Sequence, residues 1–226
     1  MREVAIDTET TGLDPSAGHR IVEIAGVELI NHMPTGVEFH HYINPQRAMP
    51  AEAQRIHGLS EEFLAGFETF EAIAQPFLDF IADSPLVIHN AEFDLKFINA
   101  ELARLGRDPL DRSRAVDTLA IARRKYPGAQ ASLDALCRRF EIDLSGRDKH
   151  GALIDTQLLA AVYLELIGGR QPGLELTALR SGKDEPAPDD RPQRAARPPR
   201  PHAPTAEEAE AHDAFLDKLA GPIWRS

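Results

Sequence analysis

The sequence predicts an α/β domain with a mixed sheet flanked by helices, followed by a disordered linker and a C-terminal helical peptide. Three strand-like segments come first, and strand and helix patterns alternate after them, which favours such a sheet. Proline becomes frequent from residue 177 onward. The 226 residues, 42% of them hydrophobic, suffice for one domain of this kind with an extension.

The first three strands follow one another so closely that they predict an antiparallel meander. The apolar run "VAI" near the N-terminus is typical of a buried strand. Turn signals between the strands come from Gly12, Gly18 and the stretch "MPTG". The predicted strands are Glu3–Thr8, Arg20–Leu29 and Val37–Ile43.

Helical patterns dominate the rest of the domain, interrupted by one further buried strand in "PLVIHN". Short stretches such as "GRDP" and "YPG" separate the helices. No internal repeat is present in the sequence. The predicted helices span about residues 50–57, 60–65, 70–82, 91–105, 117–125, 132–140 and 151–167.

Charge and composition restrict the class of protein. The net charge of −11 argues against a protein that coats long duplex DNA by neutralising phosphates. The net charge does not exclude nucleic acid as a substrate, because a site that binds cations supplies positive charge locally. No stretch has the apolar length of a membrane span, and the N-terminus lacks the pattern of a signal peptide. With a single cysteine, Cys137, expected to be a small core residue, we expect a soluble, reduced, cytoplasmic protein.

The C-terminal part differs in composition from the domain, which we place at residues 1–170. Residues 177–204 are too rich in proline and too poor in large apolar residues to fold, so they predict a disordered linker. Within 205–226, Thr205 and Glu208 have the spacing of a capping box. The apolar residues there form either a docking peptide or a frayed tail: Phe215, Leu216, Leu219 and Trp224.

The first predicted strand ends in two carboxylates, an arrangement that needs a chemical explanation. Asp7 and Glu9 are one residue apart, so in a strand both side chains project from the same face. Like charges this close tolerate each other when a divalent cation neutralises them, and oxygen ligands favour Mg²⁺ or Mn²⁺. Alone, the pair is weak evidence, since solvated acidic pairs are common.

Three more residues are candidates to join them. Asn90 is predicted to cap a helix, with Asp94 one turn inside it. His150 directly precedes another helix that has Asp155 near its start. Taken singly, each aspartate has an ordinary explanation as an acid near a helix N-terminus, and a loop histidine is usually solvated.

Together, these five positions resemble the DEDDh exonucleases in order and spacing. The resemblance lies in "DTETTG", "HNAEFD" and "HGALIDTQLLA", and it covers about the first 170 residues. It implies a ribonuclease H-like fold with a mixed five-stranded sheet, and removal of nucleotides one at a time from a 3′ end. It also implies two divalent cations held by Asp7, Glu9, Asp94 and Asp155, with His150 as the general base.

The resemblance extends to contacts with the terminal nucleotide in the polymerase-associated members of the family. Glu52 and His57 match such contacts, although His57 is equally well explained as the end of a helix before Gly58. Further candidate substrate-binding residues are the metal ligands Asp7, Glu9 and Asp155, together with Thr10, Asn90 and Phe93.

The same resemblance implies partners: a DNA 3′ end, a polymerase subunit bound by the C-terminal peptide, and a sliding clamp. Residues 171–176, "QPGLEL", place Gln171, Leu174 and Leu176 in the clamp-binding pattern Q-x-x-L-x-[LF]. The resemblance leaves open whether a small accessory subunit is also a partner. Two other readings remain, an exonuclease acting on RNA and a non-catalytic adaptor between clamp and polymerase.

Overall fold

The computed structural model describes residues 1–145, 150–169 and 204–218. The chain divides into two compact units, Met1–Glu175 and Leu176–Ser226. The predicted clamp-binding residues Gln171, Leu174 and Leu176, and Leu219 and Trp224 of the C-terminal peptide, lie outside the described residues. The predicted linker also lies outside them, apart from Pro204.

A five-stranded mixed sheet forms the centre of the first unit, as predicted. Its strand order is β3-β2-β1-β4-β5. β1 pairs antiparallel with β2 and β2 with β3, whereas β1 with β4 and β4 with β5 are parallel. The strands are β1 Arg2–Thr10, β2 Ile21–Ile30, β3 Met33–Tyr42, β4 Leu86–Ile88 and β5 Ala115–Asp117.

The turn between β2 and β3 corrects the sequence prediction. "MPTG" was expected to be the turn, but it lies inside β3, and Ile30 pairs with Met33. The turn is formed by Asn31 and His32, with φ angles of 50° and 67°. Two successive positive φ angles give the twist that suits a two-residue hairpin, and asparagine adopts this conformation readily.

β5 is the element that sequence patterns missed. It has only three residues, too few to show a period, and it exists because Val116 pairs with Val87 of β4. The five strands implied by the family resemblance are therefore present, although only four were recognisable from local patterns.

Helices cover the sheet close to the positions that the sequence predicts. Two short 3-10 turns, Pro15–Ala17 and Arg112–Arg114, accompany them. These helices are α1 Ala51–His57, α2 Glu61–Leu64, α3 Phe70–Ile81, α4 Ala91–Arg104, α5 Thr118–Lys125, α6 Leu133–Arg139 and α7 Ala152–Ile167. A further helix, α8 Ala206–Leu216, belongs to the second unit.

β1 is buried on both faces, which gives the domain two hydrophobic layers. Ile6 belongs to the cluster that contains Phe77 of α3 and Phe97 of α4. Ala5, on the opposite face, belongs to the cluster that contains Leu159 of α7. Because alternate residues of a strand point to opposite faces, this central strand ends in side chains held between two packed layers.

Two smaller expectations are confirmed. Cys137 is fully buried in a third cluster with Leu136. In α8, the Glu208 backbone amide donates to Thr205 Oγ1 at 3.2 Å and the Thr205 amide donates to Glu208 Oε2 at 2.8 Å, which completes the capping box. Among the described residues, no helix has the length and apolar character needed to cross a bilayer.

Candidate active site

The C-terminal end of β1 carries the first two acids. Asp7 pairs with Ala25 of β2 and Glu9 with Glu23, and a bulge follows between Glu9 and Thr10. A bulge locally increases twist and re-aims side chains. The strand therefore presents both carboxylates on one face just before the chain leaves the sheet.

The third acid comes from the start of α4, which follows the neighbouring parallel strand β4. Asn90 occupies the cap position with φ of 66°, and its side chain makes no capping hydrogen bond. This sharp turn directs Asp94, in the first turn of α4, towards β1. Thr8 Oγ1 donates to Asp94 Oδ1 at 2.7 Å, so β1 itself fixes the orientation of this carboxylate.

Burial and neighbouring negative charge raise the pKa values of Asp7 and Asp94. The pKa of Asp7 is well above its ordinary value because of burial, and because of the negative charges of Asp94, Glu9 and Asp155. Burial is also the main cause that raises the pKa of Asp94 to about 7, against the lowering effect of the hydrogen bond from Thr8. Among the described residues, no Arg or Lys makes an ion pair with Asp7 or Asp94.

The fourth acid and the histidine lie at the start of α7. His150 Nδ1 lies 3.2 Å from Asp155 Oδ2. His150 is about half exposed, whereas Asp155 is buried. Ligand atoms of Glu9, His150 and Asp155 all lie within 4.8 Å of one another. Folding thus brings together residues from three distant parts of the sequence.

This donor set fits divalent cations. Its oxygen donors suit Mg²⁺ or Mn²⁺, and the pKa of Asp7 is raised by burial and by the negative charges of Asp94, Glu9 and Asp155. Binding of a cation would relieve the repulsion between the carboxylates, which gives the cluster a physical reason to bind one.

A pocket of about 520 Å³ adjoins the acids on one side. It collects five of the residues predicted to bind substrate: Glu9, Thr10, Glu52, His57 and Phe93. No Arg or Lys occurs among the described residues that line it. Its size falls within the range of roughly 300–1,000 Å³ typical of small-ligand sites.

Two of these residues are also engaged in local structure. Thr10 Oγ1 donates to the Gly12 carbonyl at 2.6 Å, so its proton helps to form the turn after β1. His57 is the last residue of α1, and its Nδ1 accepts a hydrogen bond from the Leu59 amide at 3.0 Å. An accepting Nδ1 places the proton of the neutral ring on Nε2. His57 therefore both ends the helix and lines the pocket.

Sequence reasoning missed two apolar residues of this pocket. Leu13 is 81% exposed and Ile56 is 54% exposed, and both line it. Large apolar side chains at such exposure are candidates for contact with a flat apolar partner such as a nucleobase. Leu13 lies in a loop and Ile56 on a short helix, so no periodic signal in the sequence marks either residue.

The loop that carries Leu13 is tied to α4 and to itself. Lys96 of α4 lies 2.9 Å from Asp14 at the surface. Thr11 Oγ1 accepts from the Arg20 amide at 3.0 Å. A Cβ atom at Gly12 would lie 2.4 Å from the His19 ring, so only glycine allows this ring to pack there.

A second pocket of about 460 Å³ adjoins the acids. Asp7, Asn90, His150 and Asp155 line it, so it begins where the first pocket ends. Its far wall, which the sequence did not predict, contains His89, Leu119, Arg123, Ser132, Leu133 and Asp134.

Comparison with known proteins identifies the relatives of this chain. The exonuclease family RNase_T matches residues 4–163. The DNA polymerase III subunit epsilon of Rickettsia felis is 49% identical over 222 residues, covering 97% of each chain. That of Escherichia coli K12 is 41% identical over 237 residues, covering 100% of this chain and 98% of its own.

The fold also has counterparts among solved structures. Exonuclease X in complex with 5′ overhanging duplex DNA is 26% identical, with a TM-score of 0.56. The match covers 73% of this chain and 90% of that protein. The mixed sheet flanked by helices is therefore the exonuclease fold.

Proposed function

The chain belongs to the RNase_T exonuclease family and, within it, to the DNA polymerase III epsilon subunits, which makes it a 3′–5′ exonuclease. From this premise we propose that it removes mispaired 3′-terminal deoxynucleotides during replication, with two divalent cations and with His150 as general base. The observation that carries the proposal is the convergence of acids on Asp7, whose pKa is raised by burial and by the negative charges of Asp94, Glu9 and Asp155.

The metal ligands of the proposed mechanism are Asp7, Glu9, Asp94 and Asp155. Asp7 would hold the cations together with the other three acids, whose charges all act on its pKa. When bound there, a pair of divalent cations supplies a water of lowered pKa and charge stabilisation for the departing 3′ oxygen. Mg²⁺ and Mn²⁺ both suit the oxygen donors.

His150 accepts the proton of the attacking water in this mechanism. A carboxylate only accepts hydrogen bonds, so the contact with Asp155 Oδ2 assigns the ring proton to Nδ1 and leaves the lone pair on Nε2. Histidine is the side chain most often used as a general base near neutral pH.

The first pocket holds the terminal nucleotide. Glu9 brings it against the acids, and Glu52 and His57 provide polar groups for the sugar and phosphate. Leu13, Ile56 and Phe93 provide apolar surface against which a base can lie. A paired end would first have to lose its pairing, which costs a few kcal/mol and favours mispaired ends.

Partners complete the proposal. The relatives are subunits of DNA polymerase III, so the C-terminal peptide, with Phe215 exposed and Leu216 buried, is assigned to binding of the polymerase alpha subunit. Gln171, Leu174 and Leu176 are assigned to the sliding clamp on sequence alone. Tethering would hold the nuclease near the primer end at up to millimolar effective concentration.

A primer assay tests the function. A 3′-mismatched DNA primer is incubated with Mg²⁺ and wild-type protein or Asp7→Ala, with and without the polymerase subunit. Wild type should release the terminal nucleotide, whereas Asp7→Ala should be inactive and still bind the polymerase. Wild-type protein that is inert with both metals would favour an adaptor. A strong preference for structured RNA over the primer would favour an RNA-processing enzyme.

A further inference from the structure

The acids separate two pockets, and only one of them has a predicted occupant. Glu9 lines the first pocket, whereas Asp7, His150 and Asp155 line the second. Because ligand atoms of Glu9, His150 and Asp155 lie within 4.8 Å of one another, the two pockets meet at the acids. A phosphodiester cleaved there has its terminal nucleotide on one side and the rest of the strand on the other.

The rest of the strand carries phosphates past a strongly acidic surface. With a net charge of −11 and acids at the reaction point, the protein repels these phosphates unless a cation is placed locally. Arg123 of α5 is the one Arg or Lys among the described residues that line either pocket. Within the part of the chain that the structure describes, its position is therefore the one in either pocket where a strand leaving the acids would meet fixed positive charge.

Arg123 is exposed and its guanidinium is uncommitted. Within residues 1–145, 150–169 and 204–218 it makes no hydrogen bond and no ion pair, whereas Lys125 on the same helix donates to the Leu166 carbonyl at 2.9 Å. Arg123 lines the pocket together with His89, and its positive charge acts on that histidine. Burial is the main cause that lowers the pKa of His89, and Arg123 acts in the same direction.

The surrounding residues suit a nucleotide rather than an isolated anion. Leu119 and Leu133 provide apolar surface for sugar or base. The Asn90 side chain makes no capping hydrogen bond and lines the same pocket. His89 Nδ1 lies 2.9 Å from Thr118 Oγ1, which fixes the ring in the wall of the pocket.

We propose that the second pocket binds the nucleotide upstream of the scissile bond, and that Arg123 binds the phosphate on its 5′ side. The proposal rests on the exonuclease function above and adds a residue that sets how the strand is held. A guanidinium donates two parallel hydrogen bonds to a phosphate, which fixes the strand as well as attracting it. Arg123 is a positioning residue, since it does not touch the reacting atoms.

The ordinary alternative is that Arg123 only stabilises the end of α5. Cations in the last turn of a helix interact favourably with its dipole, and Arg123, Arg124 and Lys125 all lie there. Arg124 shares the exposure and the helix position but does not line the pocket. Arg124→Ala is therefore the matched control for Arg123→Ala.

Two substrates separate the possibilities in the full-length protein. A single-stranded DNA oligonucleotide occupies both pockets, whereas the p-nitrophenyl ester of thymidine 5′-monophosphate has no upstream phosphate. Arg123→Ala should raise KM for the oligonucleotide about tenfold with kcat within about twofold, and leave hydrolysis of the ester unchanged. Arg123→Lys should recover part of the loss, and Arg124→Ala should match wild type on both substrates.

Salt dependence gives a second readout. Losing one phosphate contact to a single strand should reduce the slope of log KM against log salt by about 0.7 for Arg123→Ala only. The proposal is overturned if Arg123→Ala matches wild type on the oligonucleotide, if it slows the ester equally, or if Arg124→Ala has the same effect. Failure of the exonuclease function itself would look different, because wild type would then be inert on both substrates.

Discussion

Helix α4 carries two buried carboxylates whose electrostatic surroundings are opposite. Asp94 and Glu101 are seven residues apart and so lie on the same side of the helix, with 3% and 2% of their surface exposed. Arg20 donates to both oxygens of Glu101 at 2.6 and 2.7 Å, and Arg104 adds a bond at 2.9 Å. Asp94 accepts a hydrogen bond from the neutral Thr8 hydroxyl, no Arg or Lys among the described residues makes an ion pair with it, and burial raises its pKa to about 7.

The difference separates structure from function along one helix. The charge of Glu101 is balanced by two arginines, and its ion pair with Arg20 holds the loop after β1 against α4. A buried carboxylate beside other carboxylates is unfavourable in the metal-free protein, which is typical of a site whose charge is completed by a ligand. Breaking the first arrangement should therefore damage the fold, and breaking the second should damage the chemistry.

The largest effect is expected at Asp94. Asp94→Asn should lower exonuclease activity about a thousandfold or more, because a metal ligand is lost, while stability in EDTA stays equal or rises as repulsion is relieved. Mismatched-primer hydrolysis and thermal unfolding measure the two quantities. A stable variant with near wild-type activity would contradict a role of Asp94 at the metal site.

Glu101→Gln should show the converse pattern. Removing this charge leaves Arg20 without its main partner at a largely buried position, which should cost about 3 kcal/mol of unfolding free energy. The exposed pair of Glu92 and Arg112, 3.8 Å apart, offers the control, and Glu92→Gln should change stability by less than about 0.5 kcal/mol. Urea unfolding measures both. Equal effects of the two substitutions would remove the contrast.

The metal-free protein should lose stability as pH rises from about 4 to 7. Folded Asp94 keeps its proton until a pKa of about 7, whereas the unfolded carboxyl loses it near 3.8. The folded state thus binds more protons in this window, so its stability falls with pH and levels off above it. Melting temperatures in EDTA at pH 5 and pH 8 should show a smaller drop for Asp94→Asn. Mg²⁺ or Mn²⁺ should restore wild type at pH 8.

The smallest effect is expected at the surface contact between Lys96 and Asp14. The hydrogen bond from Lys96 is the main cause that lowers the pKa of Asp14 to about 2. A lowered pKa stabilises the fold above the ordinary value of 3.8 and loses that effect as pH falls towards 2. Lys96→Ala should shift the melting temperature by less than about 2 °C at pH 7 and by nothing measurable at pH 2. A larger shift would mean that this exposed tie, like that of Glu101, holds the fold.

Local sequence determined most of the secondary structure. Helices with clear periodicity, such as Phe70–Ile81, lie within a residue or two of prediction. The exceptions were short or conformationally unusual. Ala115–Asp117 is a strand only because it pairs with β4. The turn at Asn31 and His32 depends on positive φ angles at both residues, whereas the sequence pattern placed this turn at "MPTG".

The acids were selected from the sequence because their order and spacing together resemble the DEDDh exonucleases, whereas each one alone has an ordinary explanation near a strand end or a helix start. The sequence could not show that Thr8 orients Asp94, or that Leu13 and Ile56 line a pocket. These contacts join residues far apart in the chain, and no local pattern encodes them. The same holds for Arg123, whose helix position alone predicts only a solvated cation.

The sequence by itself determined the order of the longer helices and strands, the positions of the acidic residues and the family. The tertiary structure decided which carboxylates lie close to one another and which form ion pairs with arginines. The physical reason is that burial and charge act through distance in space: a residue's pKa and its partners depend on neighbours that only folding supplies.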